Sequence, residues 1–247
     1  MAEWNDPQTT RSPFGAGAQL NGAMVGTAAR DEGLRSYMLS IYNYMASGVL
    51  LSGVVALLFA RSGMAEQVFG SPLRWVIALA PLGFVMAMSF GLNRMQTSTL
   101  KMLFWGFSVA MGLSLSSIFF VYTGASIAIT FFATAGAFAG LSLYGYTTKR
   151  NLGAMGSFMV MGLFGIIIAM LLNLFLQSSA LALAISVLGV LIFAGLTAWD
   201  TQRLRETYYQ VQGTELVQKV VIMGALSLYL DFINLFQFLL SFLGDRR

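Results

Sequence analysis

The sequence predicts an all-α, polytopic membrane protein, and its composition and the spacing of its charges predict it. Hydrophobic residues make up 57% of the 247 and charged residues only 10%, with a mean hydropathy of +0.74. A soluble domain carries roughly 25% charged residues. Such a chain cannot cover its own surface with polar groups, so lipid must solvate most of it. The apolar residues also fall into runs of crossing length, with the charges gathered between them.

Residues 1–36 form a polar segment with two prolines and mixed charges, expected to be a flexible tail or a short interfacial helix. No apolar run begins before Met38, so the segment does not read as a cleavable signal peptide. Spans follow at about 37–60 and 75–92, bounded by Arg61, Arg74 and Arg94. Each is close to the ~20 residues needed to cross about 30 Å of hydrocarbon. Residues 102–148, 47 in number, carry no charge. That is two crossings, split near Tyr122, Thr123 and Gly124 into spans 102–122 and 125–146. The 49 uncharged residues 151–199 break at Gln177, Ser178 and Ser179, which gives spans 154–176 and 180–202. A seventh span, 220–243, completes one transmembrane domain over 37–247.

Basic residues close to the spans predict the orientation. With a cytoplasmic N-terminus the inner side holds nine, Arg30, Arg35, Arg94, Lys101, Lys149, Arg150, Arg203, Arg205 and Lys219, against four outside. Two of those four, Arg246 and Arg247, would fit better if the last segment were re-entrant and returned inside. Gly136 and Gly140 form a small-xxx-small pair in the fourth span, expected to pack inside the bundle rather than to form a dimer face. Trp75 and Trp199, near span ends, read as interface anchors.

Composition also excludes functions. Cysteine and histidine are both absent, which removes thiolate chemistry, the commonest general base and the usual metal ligands. The 14 basic residues lie scattered over loops, without the basic stripe that nucleic-acid binding requires. No phosphate loop, nucleophile motif or tightly bound cofactor is indicated, and an enzyme is not expected.

Of the ten acids, only Asp200 and Asp231 fall at or within spans. Asp231 lies eleven residues into the last span, about 17 Å along a helix and so near the bilayer centre. An ionised Asp there costs about 2.5–3.5 kcal/mol on insertion scales, so it must face protein or water. Ser227, Asp231, Asn234 and Gln237 share one helical arc of about 120°, a polar face in the middle of the membrane. Asp200 closes the sixth span, and no Pro or Gly stops the helix from continuing past it. The bland reading of Asp200 is an interfacial acid near basic side chains. The sharper reading joins the two acids across antiparallel neighbouring helices. Two carboxyls touching in a poorly solvated place cannot both ionise easily; they share a proton and titrate as a unit. Loss of that proton favours separation of the helices and leaves oxygens suited to a hard cation such as Ca²⁺.

At these residues the chain resembles the Bax inhibitor-1 family, the transmembrane Bax-inhibitor-motif proteins, in a bacterial-type form. The resemblance rests on the run Ala225 to Phe236, which reads as the family's signature in its last helix, and on Asp200, Thr201 and Gln202. It implies six helices around a central hydrophobic seventh, and a pH-sensitive calcium leak in which Asp200 and Asp231 form a hydrogen-bonded pair. Some relatives carry an acid in the second span, which residues 75–92 lack; Arg94 is the candidate basic partner near that span's end. The leading expectation is therefore a pH-gated calcium or cation leak in a bacterial inner membrane. Asp200 and Asp231 would be gate and weak Ca²⁺ ligands, with Ser227, Asn234 and Gln237 as the supporting polar face. The alternatives are a membrane interaction protein that modulates a protease or a cell-death regulator, and an intramembrane aspartyl protease. The last lacks the Gly-x-Gly approach to a catalytic Asp, since Leu228, Tyr229 and Leu230 precede Asp231.

Overall fold

The computed structural model describes residues 14–246, with side chains described from Asp31 onward. Helices in chain order are α1 (Phe14–Arg61), α2 (Met64–Phe69), α3 (Leu73–Gly91), α4 (Thr97–Leu115), α5 (Ile118–Val121), α6 (Gly124–Thr147), α7 (Gly153–Leu176), α8 (Ser179–Val211) and α9 (Val217–Leu243). Seven helical stretches are long and apolar enough to cross a membrane, with α5 completing the crossing that α4 begins. The chain is a multi-pass, all-α membrane protein. Part of the polar tail, residues 1–13, lies outside the described residues. From Phe14 to residue 36 the chain is helical and continuous with the first span; no proline interrupts it there.

The last helix is the axis of the bundle. In α9, 67% of the membrane-crossing stretch is buried, against at most 39% in any other span. It packs against α1, α4, α6 and α8. Residues such as Ile222, Ala225, Leu228, Tyr229 and Leu235 are almost wholly enclosed. Such a helix becomes an axis when others surround most of its faces, because close packing there gives it more contact than lipid would. α9 runs unbroken for 27 residues, long and apolar enough for a full crossing, with no break of the kind a re-entrant turn needs. The residues after it return to the loop before α6: Thr123 N–H donates to Asp245 O at 3.1 Å, Asp245 N–H donates to Ser126 Oγ at 2.9 Å, and Arg246 bridges to Tyr122.

Helix contacts are closest where glycine removes a side chain. A Cβ at Gly145 of α6 would strike the Ala198 backbone of α8, one at Gly156 of α7 would strike the Trp199 ring, and one at Gly112 of α4 would lie 2.7 Å from Ser52 O of α1. Gly136 and Gly140 behave differently from the expected packing pair. A Cβ at either meets nothing within 4 Å, so both lie on the exposed side of α6. The sequence spacing was right for a close approach, but that face is turned away from the neighbouring helices.

Candidate functional site

α8 and α9 run antiparallel across the short connection 212–216. α8 continues nine residues beyond position 202, which leaves Asp200 eleven residues short of its end at Val211. Asp231 lies 14 residues from the start of α9. At about 1.5 Å per residue these positions fall within about 5 Å of a common depth. Both acids are buried, each 6% exposed, and Asp200 reaches α9 through Ser227, one helical turn before Asp231.

The two carboxyls have unequal surroundings. Asp200 accepts a hydrogen bond from Ser227 Oγ on Oδ2 and forms a salt bridge through Oδ1 with Arg203 Nη2 at 3.1 Å. Arg203 is half-exposed, and its guanidinium lies 4.8 Å from the centroid of the Trp199 ring. Arg203 is therefore the basic partner, one helical turn along the same face. Arg94 does not fill that role: it lies exposed in the turn after α3. Asp231 Oδ2 is buried and has no hydrogen-bond partner among the described residues.

Asp231 lines a cavity of about 760 Å³ between α7, α8 and α9. The cavity exists because α7 packs along α8 while making little contact with α9. Ser227, Asn234, Gln237 and Ser241 of α9 line it with Asp231, and Ser186 and Asn173 face them from α8 and α7. The polar arc expected on α9 thus borders this space. Ser227 is split between roles, since its hydroxyl binds Asp200. Asn234 Nδ2 donates to its own helix at Leu230 O, 2.8 Å away, and Gln237 is exposed.

The rest of the 200–205 segment fixes the position of Asp200. Gln202 clamps the α6–α7 connection, its Oε1 accepting from Leu152 N and its Nε2 donating to Arg150 O, both at 2.8 Å. Arg205 donates to Tyr146 O. On α9, Tyr229 is fully enclosed and its hydroxyl pairs with Ser52 Oγ at 2.6 Å, while Ser52 also donates to Ser108 O at 2.6 Å. Sequence reading named none of these as partners. The i,i+3 spacing of Asp200 and Arg203 was a usable signal, but the partners of Gln202 and Tyr229 lie 50 and 177 positions away.

Among known families, the one described as inhibitor of apoptosis-promoting Bax1 matches residues 34–247. The chain belongs to the Bax inhibitor-1 family. This family member is 49% identical over 218 residues to the uncharacterized protein RP147 of Rickettsia prowazekii, with 88% of this chain and 92% of that one covered. It is 47% identical over 229 residues to a protein of Caulobacter vibrioides, covering 88% and 91%. It is 45% identical over 219 residues to the inner membrane protein YbhL of Escherichia coli K12, covering 87% and 94%.

Proposed function

We propose that this Bax inhibitor-1 family member is a pH-sensitive cation leak, with Ca²⁺ as the permeant ion, in a bacterial inner membrane with its N-terminus in the cytoplasm. The observation that carries the reading is that Asp200 and Asp231 are both buried at a common depth on packed antiparallel helices, with one carboxyl oxygen of Asp231 unpartnered among the described residues, on the wall of a largely apolar cavity that the polar arc of α9 borders. A single proton held between the carboxyls keeps α8 and α9 together there. When the proton leaves, two negative charges face each other in a medium that screens them poorly, and separation is the relief available. The cavity and the polar arc of α9 then supply one half of a path, and the gap between the acids connects it to the Arg203 side.

Ca²⁺ fits as cargo better than as a resident ion. It takes six to eight oxygen ligands, whereas the described residues contain no group of three or more acidic, His or Cys side chains able to hold a metal. Two carboxylates, the Ser227 hydroxyl and water make a weak stopping point, which suits passage. Peptide cleavage is disfavoured by the approach to Asp231: Leu228 and Tyr229 are fully enclosed by neighbouring helices, which closes that side of the backbone to a substrate strand. The inner-membrane assignment takes support from the name of the E. coli relative.

The test is calcium-dye flux in liposomes between about pH 6 and 8. Flux through the wild type rises with pH, and the Asp200→Asn, Asp231→Asn double variant loses that dependence. Equal pH profiles for the two proteins would remove the gating mechanism.

A further inference from the structure

A second cavity, of about 690 Å³, lies on the other side of the bundle between α1 and α6. These helices make little direct contact, and a groove remains between them. Its floor is an edge-to-face pair, Phe138 and Phe232, with ring centroids 5.5 Å apart. Its sides are apolar, with Met38, Leu39 and Met45 on α1 facing Ala135, Ala139 and Leu143 on α6.

Three features identify the occupant. The groove runs along α1 from Arg35 to Ala46 and along α6 from Tyr146 back to Ala135, eleven residue-to-residue steps on each wall. That is about 16 Å, close to the ~15 Å depth of one leaflet's hydrocarbon. Ser142 lines the groove, is 5% exposed, and its hydroxyl has no partner among the described residues, although a helical serine ordinarily bonds back to its own helix. At the mouth, Asp31 and Arg35 stand one helical turn apart with opposite charges, yet among the described residues neither is in a salt bridge.

We propose that this groove is a binding site for one phospholipid bearing a free ammonium, of the ethanolamine type. The acyl chain lies on Phe138 and Phe232, the ester region meets Ser142, the phosphate meets Arg35, and the ammonium meets Asp31. A glycerol head group would satisfy Arg35 but bring no positive charge to Asp31; a choline head group brings the charge but has no N–H to donate. Phe232 follows Asp231 directly in the chain, so the bound lipid rests against the helix that carries the acid.

Native mass spectrometry of the purified, delipidated full chain, with phosphatidylethanolamine, phosphatidylglycerol or phosphatidylcholine added back, tests the site. The wild type takes up one phosphatidylethanolamine in preference to the others. Ala46→Trp and Ala139→Trp, from exposed positions on opposite walls, fill the groove and abolish uptake. Arg35→Gln weakens uptake about fivefold, and Asp31→Asn removes the preference for ethanolamine over glycerol. Where a tryptophan variant fails to fold, the Arg35→Gln and Asp31→Asn results decide alone. Undiminished uptake in folded tryptophan variants, uptake without head-group preference, or no uptake by the wild type overturns the proposal.

Discussion

Asp231 Oδ2 is an unpartnered carboxyl oxygen in the middle of a helix whose other faces are tightly enclosed. Its neighbour Tyr229 has the opposite character, since its hydroxyl ties α9 to α1 through Ser52. Under the proposed mechanism the two residues separate function from stability on one helix. Tyr229→Phe removes one buried hydrogen bond while Ser52 keeps its bond to Ser108 O. That costs about 0.5–1 kcal/mol and lowers the unfolding midpoint in detergent by about 2–4 °C. The pH profile of flux stays unchanged. A drop in stability joined to loss of pH dependence would show that the hydroxyl belongs to the gate and not to the scaffold. Asp231 was legible in the sequence because an acid in an apolar run has few explanations. Arg203 as its neighbour's partner was legible only in part, since a helix places several basic residues within reach of Asp200 and packing selects one.

The element that orders the site is the cytoplasmic-side half of α8, from Trp199 to Arg205 under the proposed orientation. It carries an acid, a salt-bridge partner and two clamps on the α6–α7 connection within two turns. The uncharged runs of the sequence mark stretches suited to hydrocarbon, which excludes charge. They could not locate helix ends, since α8 extends to Val211 through charged residues that carry no penalty outside the hydrocarbon. Gln202 shows what such an extension does. Gln202→Leu releases the Leu152 amide, and hydrogen exchange of the 148–156 segment quickens by about tenfold, as loss of one to two hydrogen bonds allows. Unchanged exchange there would mean that the connection holds itself without α8. The Gly136–Gly140 pair marks the opposite limit: its spacing signals a close approach, but nothing in one helix says which face its neighbours will take.

For the whole molecule, seven crossings would put Asp31 and Asp245 on opposite sides of the membrane, and Asp245 and Arg246 contact the α5–α6 connection. The absence of cysteine makes sidedness directly measurable. In intact inverted and right-side-out vesicles, Gln212→Cys reacts with an impermeant maleimide only from the cytoplasmic face, and Gln67→Cys only from the other. Labelling of both from one face would sink the seven-crossing topology, and the reverse pattern would invert the orientation that the basic residues predict. The sequence by itself determined the solvent, the class of fold, the number of crossings and the two acids that do not belong in lipid. Each of these follows from the free energy of transferring one residue, or one short run, into hydrocarbon. The central last helix, which the family resemblance implies, is what the packing shows, and only the tertiary structure decided that Arg203 reaches Asp200 and that cavities open beside α7 and α1. Those depend on which helix faces meet, and in lipid, where every apolar face is equally at ease, close packing and a few long-range hydrogen bonds choose among them.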